Sequence, residues 1–196
     1  MTPTTLLLEP GDALLIVDVQ KDFLPGGSLA VPGGDEVVPV LRRYLGLFEA
    51  KGLPVFASRD WHPRDHCSFR ARGGPWPPHC VAGSTGADGP PDLPLPAAVI
   101  VHKATAADTD AYSAFEGTVL DAGLRDRRVR RLFVGGLATD YCVLNTVRDA
   151  VARGYAVVLL MDAIRAVNVH PDDGAKAEAE MRRLGALPTR YEELAS

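Results

Sequence analysis

The sequence predicts an α/β fold, a three-layer sandwich in which a central, mostly parallel sheet of about six strands is flanked by helices. Three observations carry that expectation. Ala13 to Val17 is apolar at every position, the pattern of a strand covered on both faces. Short runs of this kind alternate with stretches of helical period, which implies crossover connections and parallel pairing. The 196 residues, 46% hydrophobic and 23% charged, suit one domain over 1–196 that buries roughly 70% of its unfolded surface without added cross-links.

The first strand runs into Asp18. Gly26-Gly27 and Gly33-Gly34 mark a loop, and Asp35 then opens a helix with Val37, Val38, Leu41, Leu45 and Phe48 on one face. Pro39 falls in its first turn, where proline is tolerated, and Gly52 closes it. Leu53 to Ser58 and Ala98 to His102 read as the second and third strands. A short helix falls within Ala114 to Arg127, and Val129 to Val134 is a fourth strand ended by Gly135-Gly136. Thr139 or Asp140 can cap a helix reaching about Arg153, with Cys142, Val143, Val147, Ala150 and Val151 inward. Tyr155 to Met161 reads as a fifth strand, Asp172 to Leu184 as a polar-faced helix, and Leu187 to Thr189 as a short last strand.

Asp60 to Pro96 breaks the alternation. It holds half of the 16 prolines and both tryptophans, together with His62, His66, His79, Cys67 and Cys80. A loop longer than about 15 residues inside a compact domain is functional or disordered. Side chains this rich in metal-binding and aromatic groups point to the wall of a site.

Composition excludes several classes. Twenty-one Lys and Arg against 25 Asp and Glu give a net charge of −4, and the basic clusters are short, so no nucleic-acid partner is expected. The longest apolar runs fall far short of the ~18 residues of a membrane span, and the N-terminus has no secretory pattern. Three cysteines without a CxxC argue against a disulfide framework and for a reducing, cytoplasmic setting.

Three groups of residues could do chemistry. Cys142 falls in the first turn of a helix that follows a strand, where the helix dipole favours a thiolate and free N–H groups can hold an oxyanion; the alternative is a buried core thiol. Asp18 and Lys103 sit at the carboxyl ends of strands, where open α/β sheets bind ligands, although each could instead be a turn or surface residue. Converging, the three would supply a proton acceptor, a cation and a nucleophile. In Asp60-Trp61-His62 the acid and the imidazole project to one side of an extended segment, and with His66 and His79 downstream they make an N/O set suited to zinc, iron or manganese. Hydrogen-bonded loop histidines, or a structural zinc site from His66-Cys67 and His79-Cys80, are the alternatives. His102 and His170 have no evident partner.

Taken together, Ile16-Val17-Asp18-Val19-Gln20-Lys21-Asp22-Phe23, Arg59-Asp60-Trp61-His62-Pro63, Trp76-Pro77-Pro78-His79-Cys80, Lys103-Ala104-Thr105, Asp110-Ala111-Tyr112-Ser113-Ala114-Phe115 and Gly136-Leu137-Ala138-Thr139-Asp140-Tyr141-Cys142 resemble the isochorismatase-like cysteine hydrolases. The DxHP and WPPHC segments resemble the metal-containing nicotinamidase branch. The resemblance runs in order from about Ala13 to about Ala166. It implies Asp18 as general base and acid, Lys103 as its cationic partner and Cys142 as nucleophile. It implies an oxyanion hole from the Ala138 and Cys142 N–H groups, with a cis peptide between Leu137 and Ala138. Asp60, His62 and His79 would ligate one divalent metal ion, zinc ahead of iron or manganese, and His66 matches a histidine near or on the metal in some members. Phe23, Trp76 and Tyr112 would line a ring pocket. The implied activity is hydrolysis of nicotinamide, and of pyrazinamide, through a thioester in NAD salvage. The substrate is then a small molecule, and the family accommodates monomers and homo-oligomers. The rival readings are another amidase of the family acting on a carbamoyl or other small amide, and a non-catalytic thiol-sensing or partner-binding relative. The insert Gly83 to Pro96 carries none of these groups.

Overall fold

The computed structural model describes residues 6–194; of the span expected as one domain, 1–5 and 195–196 lie outside the described residues. β1 (Asp12–Val17), β2 (Val55–Asp60), β3 (Val99–Lys103), β4 (Arg131–Leu137), β5 (Ala156–Arg165) and β6 (Leu187–Thr189) form one sheet in the order β3-β2-β1-β4-β5-β6. Every pairing is parallel, as an alternating chain requires. The chain builds outward from β1 to β3, then returns to the other side of β1 for β4. Strand order therefore reverses between β1 and β4, the position where α/β sheets open a crevice beyond their carboxyl ends.

The period of two along each strand divides the core. Leu14 and Ile16 of β1 pack with Phe133, Val158 and Leu160 under α1 (Val37–Ala50), whose Val37, Leu41, Tyr44, Leu45 and Phe48 are buried. Ala13, Leu15 and Val17 face the other way, toward α2 (Leu120–Asp126), α3 (Leu144–Ala152) and α4 (Asp173–Arg183) through Leu124, Val147 and Met181. No helix of the described residues is long and apolar enough to cross a membrane.

Several expected boundaries move, each for a physical reason. β2 and β3 run on to Asp60 and Lys103, which stand opposite each other in register and pair their charges. β4 does not stop at Gly135-Gly136 but passes through it. A Cβ at Gly136 (φ 124°) would stand 2.0 Å from the carbonyl oxygen of Val17, and the register with β5 shifts between Val134 and Gly136. The pair is a bulge that lets two backbones touch rather than a terminator. β5 continues to Arg165, beyond the expected Met161.

The expected cap by Thr139 or Asp140 is not formed. Residues Thr139–Val143 make a π-helical turn ahead of α3, with Ala138 at the cap position and no side-chain cap. The Asp140 carboxylate instead accepts the N–H groups of Val167 (2.9 Å) and Asn168 (2.8 Å).

Candidate active site

The site is assembled from strand ends. Asp18 follows β1, Asp60 ends β2, Lys103 ends β3 and Cys142 lies just beyond β4. All four are buried. Lys103 Nζ is the hub: it lies 3.1 Å from Asp18 Oδ2, donates to Asp60 Oδ1 and to the Ala111 carbonyl (2.9 Å), and stands 3.5 Å from Cys142 Sγ. Ser58 Oγ donates to Asp18 Oδ1 at 2.7 Å. Asp18 itself is left-handed (φ 47°), a conformation Asp tolerates better than most residues.

Two carboxylates share one ammonium, and their surroundings split them. Burial, reinforced by the charge of Asp60, raises the Asp18 pKa against the pull of Lys103. Burial also opposes ionisation of Asp60, but Lys103 and His62 outweigh it and hold that carboxyl well below the usual range. The same ammonium thus leaves two buried carboxyls pushed in opposite directions, the pattern that separates a proton-exchanging acid from a fixed charge where such pairs act in catalysis. Burial pushes the Cys142 thiol well up, with Asp18 and Asp60 adding to the effect and Lys103 opposing it. Burial thus favours the thiol over the thiolate at this position.

Ligand atoms of Asp60, His62 and His79 all lie within 4.8 Å of one another. Both ring nitrogens of His62 are buried without a hydrogen-bond partner, a costly state for a polar group. The His79 Nδ1–H donates to the Pro77 carbonyl at 2.8 Å, which leaves Nε2 with its lone pair, the orientation seen in metal-ligating imidazoles. A carboxylate and two imidazoles arranged this way fit a divalent cation.

His66 is differently placed. Its Nε2–H donates to the Thr109 carbonyl (3.1 Å), and Nδ1 accepts from Ser68 Oγ (2.7 Å), so both nitrogens are engaged while the ring packs on His62 (4.2 Å between centroids). Among the described residues neither Cys67 nor Cys80 joins a group of metal-ligating side chains. His102 stacks on Trp61 at 4.4 Å.

Beside the thiol lies a small pocket lined by Phe23, Leu29, Val31, Asp60, Trp76, His79, Tyr112, Ala138, Tyr141, Cys142 and Val167. Trp76 Nε1 donates to the Tyr112 hydroxyl (3.1 Å), and Tyr141 meets both rings. The Leu137–Ala138 peptide is cis. The Ala138 carbonyl accepts the N–H groups of Tyr141 and Val143 (3.1 Å each) and passes over that of Cys142 between them.

The sequence reading omits Ser58, Leu29, Val31, Tyr141 and Val167, and two residues inside a motif it quotes. Gln20 clamps the Asp60 backbone: Oε1 accepts its N–H (2.9 Å) and Nε2 donates to its carbonyl (2.8 Å). Asp22 Oδ2 accepts the Cys80 N–H at 2.7 Å, tying the loop that carries His79 to the end of β1. A buried-side amide and a second acid directly after an all-apolar strand were the available signal.

Residues 12–193 match the isochorismatase domain family. The chain is 43% identical over 199 aligned positions to the nicotinamidase of Escherichia coli (strain K12), covering 90% of this chain and 93% of that one. The pyrazinamidase of Pyrococcus horikoshii, solved in complex with zinc, superposes with a TM-score of 0.89 at 47% identity, covering 93% of this chain and 100% of that one. PnC1 from L. infantum in complex with nicotinate gives a TM-score of 0.90 at 36% identity, with coverage of 97% and 98%. With its parallel sheet, its strand-end residues and a match over nearly its whole length, the chain belongs to the isochorismatase family.

Proposed function

We propose that this chain is a metal-containing cysteine amidohydrolase that converts nicotinamide to nicotinate and ammonia, accepts pyrazinamide by the same chemistry, and acts in NAD salvage. The observation that carries this reading is the buried meeting of Asp18, Lys103 and Cys142 at the wall of an aromatic-lined pocket. The nicotinamidase and pyrazinamidase relatives support it.

In the reaction, Asp18 takes the Cys142 proton as the sulfur attacks the carboxamide carbon. Lys103 offsets the negative charge that the two carboxylates and the sulfur concentrate there. The carbonyl oxygen becomes an oxyanion held by the N–H groups of Ala138 and Cys142, donors of a kind worth about 3 kcal/mol each. The C–N bond then breaks as Asp18 returns its proton to the departing nitrogen, which leaves as ammonia. Water, deprotonated by Asp18, cleaves the thioester, releasing the carboxylate and restoring the thiol. Phe23, Trp76, Tyr112 and Tyr141 hold a flat ring in the attack geometry. A divalent ion held by Asp60, His62 and His79 would supply a Lewis-acidic anchor for a ring nitrogen.

The decisive assay is ammonia release from nicotinamide, pyrazinamide and an aliphatic amide, with and without chelator. Turnover of the two aromatic amides and not of the aliphatic one is expected; the reverse preference would point to the carbamoyl or small-amide alternative. Asp18→Asn is expected to lower kcat/KM by at least ~10²-fold, because an amide cannot accept the thiol proton; a near-normal rate would require another base. In a His62→Ala/His79→Ala double variant, elemental analysis is expected to find the bound ion lost, and full metal content would place it elsewhere.

A further inference from the structure

The turn that bears the nucleophile is tied to a second loop by one carboxylate. Asp140 stands two residues before Cys142, and its Oδ1 and Oδ2 accept the N–H groups of Val167 and Asn168 respectively, at 2.9 and 2.8 Å. Asn168, left-handed at φ 53°, extends the tie: its Oδ1 accepts the Gly174 N–H (2.8 Å) in the first turn of α4. Gly174 is pressed close, since a Cβ there would stand 2.6 Å from that of Ala166. The loop is thus held at both ends, while Asn168, Val169 and His170 are exposed. Val167 is the one loop residue among them that lines the pocket beside Cys142.

We propose that Asp140 is a positioning residue that sets the Val167 wall relative to the Cys142 thiol, so that the ring width the pocket admits is fixed from outside it. The idea rests on the amide-hydrolase reading for its substrate, but its geometry stands apart from it. Two N–H donors face two carboxylate oxygens here. An asparagine would offer one acceptor and turn an NH₂ group toward the other N–H, and a charged acceptor is the stronger partner.

The test compares Asp140→Asn with Val167→Ala, which widens the wall directly. Kinetics are measured on nicotinamide and on nicotinamides methylated at each free ring carbon. Both variants are expected to raise kcat/KM for at least one methylated ring, relative to nicotinamide, by about tenfold. In Asp140→Asn the change on nicotinamide should fall mainly on KM, with a thermal midpoint close to wild type. A shifted preference in Val167→Ala but not in Asp140→Asn would overturn the proposal, and so would no shift in either. Should the amide variant not fold, Asp140→Ala removes both acceptors without adding a donor and serves the same comparison. A readout free of turnover is the labelling of Cys142, resolved from Cys67 and Cys80 by peptide mass. N-ethylmaleimide should gain several-fold over the smaller iodoacetamide when Asp140 is replaced. An unchanged labelling ratio overturns the tie whatever the substrate, whereas a wild type that releases no ammonia from nicotinamide fails the hydrolase reading alone.

Discussion

Cys142→Ala is expected to lower nicotinamide turnover by about 10⁴-fold or more while the protein stays folded, since removing a covalent nucleophile collapses the whole catalytic unit. The sulfur stands 3.5 Å from Lys103 Nζ and within 4.8 Å of carboxylate oxygens of both Asp18 and Asp60, so no other thiol can substitute. Cys67 and Cys80 lie on the loop after β2, and burial, with the neighbouring carboxylates, drives the Cys80 thiol far above its ordinary range. Alanine fits the space of a small buried side chain, so the thermal midpoint should move by only a few degrees. The measurement is ammonia release with mass spectrometry of quenched protein. Wild type should show a transient acyl adduct on Cys142 and the variant none. Wild-type turnover in the variant would remove the thioester from the mechanism.

The second large effect is on stability. Lys103→Met keeps the length of the side chain but leaves Asp18 and Asp60 buried together without a cation, and breaking a buried ion cluster this way costs about 3–5 kcal/mol. The pH dependence follows from the directions of the shifts. In wild type, burial works against Lys103 ionisation but Asp18 and Asp60 raise its pKa, so its stabilisation is present at and below neutrality and lost only in strong alkali. Asp60, held low, contributes stability above its unfolded value that is lost as acid is added. In the variant the largest pull that lowers both carboxyls is gone, and burial is expected to raise them. Their contribution is then fully present below the unfolded values, near 4, and is lost as pH rises. Urea unfolding with chelator present should therefore show a large deficit at pH 8 that narrows toward pH 5. Equal stability at pH 8 would mean that Lys103 does not neutralise the pair.

Much of the sheet was legible because a strand buried on both faces leaves an unbroken apolar run, as Ala13 to Val17 does. Asp18 stood out as the charge that ends such a run, and Lys103 as a charge at the carboxyl end of the half-exposed edge strand β3. Where the reading failed, the deciding contact was distant. Gly135-Gly136 looks like a stop until Val17 is seen pressed against Gly136. Asp140 looks like a helix cap until two N–H groups from residues 167 and 168 arrive to claim it. Val31 and Val167 are ordinary apolar residues in sequence and become pocket walls only through tertiary placement. Ser58 differs in kind, since its burial in β2 beside Asp18 fixes the acid and leaves no mark of its own in the pattern.

The backbone contact between Gly136 and Val17 has a consequence for how such proteins can diversify. It locks together the two strands behind the acid and the sulfur, so neither can shift without the other. Part of the pocket wall belongs instead to loops outside that strand pair, around Leu29, Trp76, Tyr112 and Val167. Those loops could be rewritten in a descendant, and the pocket wall with them, while the strand pair that carries Asp18 and leads into Cys142 is inherited intact.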